Sequence, residues 1–285
     1  MKKTVFILIA ILIAFPVALS FMSSSYEYGA ERLLYRAVKL NEKIAVNPDV
    51  APPVMVANVE NTLKDVLKKY PEADAAKAAN LALAEFYVQN KKYEDALKLI
   101  DSILSSKKSN KGMLSSAQFM KGALYEKQGK WERALQEYIK LRDNYKDTPI
   151  GLQIPVYIAR HYSEKGQDEA KKAYEDAAKY YEKLANEYKG KPLGYEATNM
   201  MISIYFGLKE YDKAGDAVEK AVDIYPLQLT LSRYAPSMEF VFAKQLKRPE
   251  RVIKFYNAAM KKTEDPKLKK ALQDRIDELN KKDSQ

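Results

Sequence analysis

The feature that most constrains the fold is a pattern of aromatic, two polar residues and alanine that recurs four times. It reads YEDA at 93–96, WERA at 131–134, YEDA again at 174–177 and YDKA at 211–214. The four alanines, Ala96, Ala134, Ala177 and Ala214, are 38, 43 and 37 residues apart. Internal periods of this size mark supersecondary units that stack on one another. Six residues before the first aromatic stands a second one, Tyr87, Tyr125 or Tyr205, and three residues before two of these stand the small residues Ala84 and Gly122. Downstream, Ala96, Ile100 and Ile103, and likewise Ala134, Tyr138 and Leu141, recur at the spacing of one helical face. A polar break, Asn90-Lys91-Lys92, Gln128-Gly129-Lys130 or Leu208-Lys209-Glu210, separates the two stretches, so each unit reads as helix, turn, helix.

Composition agrees with an all-α chain. Only 10 glycines and 12 prolines in 285 residues leave few turns for a β protein, and 47% apolar with 30% charged residues suits a folded chain. The small residues let two helices approach, and the paired aromatics fill the space between neighbouring units; a lone unit cannot bury its apolar face, so units must stack. The tyrosines at these positions are therefore read as core, and the helical phase puts most of the 21 tyrosines inside. In the third unit, Gln167 to Lys172 intervene after Lys165-Gly166 and before Tyr174, which predicts one long helix from Gln167 to Tyr188 whose first turns project about 9 Å. Residues 26–46 and 53–70 read as a divergent first hairpin, 238–247 and 249–260 as a last one with Val252 in the alanine position. Asp265-Pro266 starts a final helix whose Leu268, Leu272, Ile276 and Leu279 form one apolar stripe, as a capping helix requires.

Ala84, Tyr87, Lys91, Tyr93 and Ala96 in one unit, Gly122, Tyr125, Gly129, Trp131 and Ala134 in the next, and the endings Tyr70-Pro71 and Tyr225-Pro226 together resemble the tetratricopeptide repeat family, most closely over 74–226. The resemblance implies an all-α, right-handed α-solenoid of about five to six helical hairpins plus a C-terminal capping helix, spanning 23–285 as one domain. It also implies a concave groove lined by the first helices. The family's groove positions fall on Leu81, Glu85, Val88 and Gln89, then Phe119, Ala123, Glu126 and Lys127, then Val156, Arg160, Ser163 and Glu164, then Asn199, Ser203 and Phe206. The Lys/Asn/Arg clamp by which some relatives hold a chain-terminal carboxylate is missing from this set.

The chain opens MKKTVFILIAILIAFPVALSFMSSS. Two lysines, an unbroken apolar run from Val5 to Phe15 and the small-x-small triplet Ala18-Leu19-Ser20 fit a secretory signal peptide cut after Ser20. Val5 to Met22 also makes about 27 Å of helix, enough for an uncleaved anchor. Residues 1–22 are thus expected to be one or the other, and in both cases the rest of the chain lies outside the cytoplasm. With no cysteine, the chain cannot be a lipoprotein and has no thiolate metal site or thiol nucleophile.

The single histidine, His161, has no indicated nucleophile beside it, and no two glycines make a phosphate-cradling loop. Despite a net charge of +10, the lysines alternate with Glu and Asp rather than clustering on one face, so nucleic acid is not expected. What remains is a binding surface without enzyme chemistry or cofactor. The order of membrane segment, divergent hairpin and Ala-rich repeats resembles envelope proteins of the family: the ancillary Sec translocon subunit, the outer-membrane assembly scaffold and the cell-division coordinator. That resemblance implies a periplasmic or inner-membrane-tethered scaffold with protein partners in translocation, outer-membrane assembly or cell division. The alternative is a protein that captures peptidoglycan or polysaccharide on an aromatic-rich groove.

Overall fold

The computed structural model describes residues 25–47, 50–164 and 166–283; the apolar run of residues 1–22 lies outside them. The described residues are helical hairpins throughout and fall into two compact units, with the boundary after Gly151. The first unit holds α1 (residues 25–46), α2 (Pro53–Lys69), α3 (Asp74–Gln89), α4 (Tyr93–Ser105), α5 (Lys111–Lys127) and α6 (Trp131–Asn144). Helix α7 (Pro149–Tyr162) contains the boundary. The second unit continues with α8 (Gln167–Glu187), α9 (Pro192–Gly207), α10 (Tyr211–Ile224), α11 (Leu227–Met238), a π-helical segment (Glu239–Gln245), α12 (Pro249–Lys262) and α13 (Pro266–Asp283).

The repeat signature becomes a repeated turn. Lys91, Gly129 and Lys209 adopt left-handed φ values of 58°, 72° and 61°. In each hairpin the amide one residue further on reaches back to the carbonyl of the signature tyrosine at 2.9 Å: Lys92 to Tyr87, Lys130 to Tyr125 and Glu210 to Tyr205. This closure satisfies carbonyls that the ending helix leaves orphaned. Glycine is the ordinary residue there, and a lysine backbone is strained by a left-handed φ, so packing on both sides must hold Lys91 and Lys209 in place.

The expected close contacts are all present. Ala84, Ala96, Ala134 and Ala214 are completely buried, Ala177 is nearly so, and a Cβ on Gly122 would stand 2.5 Å from the ring of Tyr138. The long helix after the third turn runs Gln167–Glu187; its first two turns are largely exposed, and burial begins at Ala177.

Two features of the last hairpin differ from expectation. Its first helix begins at Leu227, not Met238, and continues through Pro236 into the π-helical segment. The π segment inserts one residue, so the same left-handed turn at Lys247 closes with the Arg248 amide on the Phe242 carbonyl, six residues back instead of five. After the turn the register is restored, with Pro249 and Val252 two and five residues beyond Lys247, as Tyr93 and Ala96 are beyond Lys91. Val252 is completely buried, as its alanine counterparts are. Helix α13 buries Leu272, Ile276 and Leu279 as the capping stripe predicts.

Glu60 on α2 ties the first hairpin to the second. Its carboxylate accepts from Lys64 at 2.6 Å, from Lys92 at 2.6 Å and from the Tyr87 hydroxyl at 3.2 Å, and its side chain is 17% exposed. Burial pushes its pKa up, but the two ammonium groups pull harder and hold it at about 2, below the ordinary 4.5. A carboxyl that is more acidic folded than unfolded contributes fully above the ordinary value, and the contribution fades as the pH falls through 4.5 towards 2. Glu60→Gln should therefore lower stability at neutral pH by roughly 1–2 kcal/mol, discounted because both lysines are half exposed. The deficit relative to the unmodified chain should shrink on acidification, as urea titrations at pH values spanning that window would show. An equal deficit at every pH would mean that the pairing contributes nothing.

Candidate functional site

In the first unit, α3 presents Glu85 and Gln89 to solvent, with Leu81 and Val88 half-buried beside them. Gln89 donates to Glu85 at 3.2 Å and accepts from the Asn41 amide of α1 at 3.0 Å, so a polar chain runs from the first hairpin onto α3. Helix α5 adds exposed Lys127 and half-buried Phe119, Ala123 and Glu126. The Phe119 ring lies 5.7 Å from that of Tyr138, and the Tyr138 hydroxyl donates to Glu126 at 2.7 Å. Tyr138 thus crosses the groove-bearing helix beneath Gly122 and fixes two candidate groove side chains at once.

In the second unit, Arg160 on α7 and Ser163 and Glu164 just beyond it are exposed, while Val156 is half-buried. Helix α9 exposes Ser203 and half-buries Phe206, which packs against the unit's core. Asn199 is a correction: at 2% exposure it belongs to the interior. It accepts a hydrogen bond from the buried Tyr234 hydroxyl of α11 and donates to Glu196 at 3.4 Å. A buried amide needs such partners, and here it supports the floor rather than a ligand.

Two clefts of mixed apolar and charged lining were not legible in the sequence. One, of about 640 Å³, opens between α8, α9 and α10, lined among others by Lys179, Glu182, Tyr205, Lys213 and Asp216. Burial pushes the Tyr205 phenol up, and Lys213 lies over its ring at 5.6 Å. The other, of about 470 Å³, lies between α3, α4 and α5 and is lined by Glu72, Lys77, Asn80, Ser102 and Lys108 among others. In each cleft the lining comes from three successive helices and the turns between them, and the pattern within any one of them does not report what its neighbours bring beside it. The half-buried ring of His161 sits edge-on to Tyr162 at 5.8 Å. Among the described residues no group of three or more His, Cys, Asp or Glu side chains could hold a metal ion.

Chemically, both helix faces offer hydrogen bonding, both signs of charge and flanking apolar surface. That is the make-up of a face for a peptide segment. A sequence profile described as a tetratricopeptide repeat-like domain matches residues 55–154, and a tetratricopeptide repeat profile matches residues 168–228. The chain belongs to the tetratricopeptide repeat family. The matched tetratricopeptide segments include α3 to α6 and α8 to α10, on which most of the candidate groove residues stand. Tetratricopeptide repeats serve generally as protein-interaction folds, and neither profile is that of an enzyme family. Among solved structures, a tetratricopeptide repeat protein from Parabacteroides merdae is similar at 16% identity and a TM-score of 0.32, over 85% of this chain and 96% of that one. BtubC from P. vanneervenii is similar at 16% identity and a TM-score of 0.30, over 90% and 91%. No curated protein matches the chain.

Proposed function

We propose that the chain is a non-enzymatic scaffold of the bacterial cell envelope, periplasmic or tethered to the inner membrane by its N-terminal apolar run, which binds segments of partner proteins on the open faces of its first helices. The observation that carries the reading is the division of labour within the repeats. None of the signature aromatics is exposed: Tyr87 and Trp131 are buried and Tyr93, Tyr125, Tyr174, Tyr205 and Tyr211 are half-buried, whereas Glu85, Gln89, Lys127, Arg160 and Ser203 are left to solvent. Capture of polysaccharide calls for exposed aromatic platforms, and the candidate faces present none of the signature rings fully to solvent, which weighs against that alternative. Extended or helical peptide segments bind solenoid faces through many modest contacts with a few anchors, and Arg160 has the reach and charge of such an anchor.

In-cell photo-crosslinking from positions 85, 160 and 203, combined with fractionation, tests the reading. Expected are membrane-fraction adducts with translocation, barrel-assembly or division proteins at these positions and a much lower yield from Lys98 on α4. A soluble cytoplasmic product, or adducts to cytoplasmic proteins alone, overturns the envelope assignment. Retention on a peptidoglycan column without protein adducts replaces the scaffold by the glycan reading.

A further inference from the structure

The two ends of the described chain are finished differently. Helix α13 turns its apolar stripe inwards and leaves Lys270, Asp274, Asp277 and Lys281 exposed, the polar outer face that a terminal repeat needs. Helix α1 does not follow that rule. Its inner stripe is complete: Ala30, Ala37 and Ile44 recur every seventh residue and are buried. Tyr26 stacks edge-on against Tyr70 at 5.0 Å, and Glu27 accepts from the Asp74 amide at 3.2 Å. Its outer face sets large apolar side chains among charged ones. Tyr28, Tyr35 and Val46 are 65%, 63% and 76% exposed, and at about 100° per residue they fall within about 20° of one line along the helix. Val50 and Val54, just beyond α1, are exposed as well, and of eight large exposed hydrophobic residues among those described, six lie between 28 and 54. Arg32, Arg36, Lys39 and Lys43 are exposed along one flank of the stripe, with Lys39 over the Tyr35 ring at 5.9 Å.

We propose that this outer face of α1 lies flat on the surface of an anionic lipid bilayer. The inference rests on the reading that the apolar run is retained in the membrane. Only Ser23 and Ser24 separate Met22 from the first residue of α1, which confines the start of the helix to within about 11 Å of the end of that run. Tyrosine rings with a polar tip, and arginine and lysine stems that carry their charge outward, are the side chains that settle at the boundary between hydrocarbon and headgroups. A helix with such a face binds through buried apolar area together with attraction to anionic lipid. A second copy of the chain suits the face less well. Cations flank the stripe, and two like faces would bring four basic side chains on each copy against the other, with only Glu31 and Glu42 exposed to offset them.

The chain has no cysteine, so single-cysteine variants can report position. The full chain, labelled with a fluorophore through Tyr35→Cys or, as a reference, Lys98→Cys on α4, is reconstituted in vesicles with and without phosphatidylglycerol and with nitroxide-bearing lipid as quencher. The expected result is several-fold stronger quenching at 35 than at 98, dependent on phosphatidylglycerol and reduced by R36E/K43E. Equal quenching at the two sites, or quenching at 35 that is indifferent to phosphatidylglycerol, overturns the proposal. Concentration-dependent energy transfer between labels at 35 in detergent alone overturns it in favour of a second copy. Flotation separates the two levels of the argument. A chain that floats with vesicles but shows no excess quenching at 35 defeats this inference only, and a chain that fails to float defeats the membrane-tethered reading with it.

Discussion

Gly194→Ala is expected to destabilise the second unit by roughly 3 kcal/mol or more, and Gly151→Ala the first by a similar amount. A Cβ at 194 would stand 2.1 Å from the Tyr188 carbonyl oxygen and 2.7 Å from its carbon. At 151 the corresponding distances, to Tyr145, are 2.0 and 2.6 Å. Both obstacles are backbone, and both are pinned. The Lys191 amide donates to the Tyr188 carbonyl at 2.9 Å, and the Thr148 amide and hydroxyl donate to that of Tyr145 at 2.9 and 2.8 Å. No side chain can rotate aside, so the incoming helix must move away from the turn and open the packing behind it. Gly190 is the control: it has a φ of 76° and nothing within 4 Å of an added Cβ, so alanine there costs only the left-handed conformation, about 1 kcal/mol. Urea unfolding of the three variants would rank them. A loss below that of Gly190→Ala at either 151 or 194 would show that the junction relaxes freely.

These two glycines also mark a limit of what could be seen in the sequence. They close the stretches YKDTPIG, 145–151, and YKGKPLG, 188–194, a second repeated pattern that spacing alone exposes. Its meaning is a distance between backbones, which no residue preference states. The hairpins themselves were legible because each uses an aromatic and an alanine at fixed offsets from a turn, and packing admits few other residues at those places. The last hairpin hid its beginning. Pro236 reads as a helix breaker, yet the helix passes through it, and the extra residue of the π segment shifts Phe242 out of the register that Tyr87, Tyr125 and Tyr205 share. The groove positions were partly legible. Of the positions carried over from the family, Glu85, Gln89, Lys127, Arg160 and Ser203 are exposed, but Asn199 is covered by Tyr234, 35 residues further on, and a position within one helix cannot report what another helix brings over it.

Tyr138 carries the other large effect, because it joins packing to the candidate binding face. It is completely buried, lies against Phe119 and Trp131 with ring centres 5.7 and 6.1 Å away, and occupies the space that the missing Cβ of Gly122 leaves. Truncation to alanine empties that space and should cost roughly 3–5 kcal/mol. Tyr138→Phe keeps the ring but removes the donor to Glu126, at a cost of about 1 kcal/mol. It should alter partner binding at positions 119 and 126 more than it alters stability, since Glu126 then loses one of the groups that position its carboxylate. The third variant approaches the same contact from the other side. Gly122→Ala places a methyl group into the ring and should cost roughly 1–3 kcal/mol. Tyr138→Leu in the same chain should recover part of that loss, because the smaller side chain vacates the clash. The two substitutions should therefore couple with a favourable interaction of roughly 1 kcal/mol in a double-mutant cycle read by urea unfolding. Strict additivity would mean that Gly122 tolerates alanine by moving α5, so that Tyr138 does not set the approach of the two helices or the position of Phe119 between them.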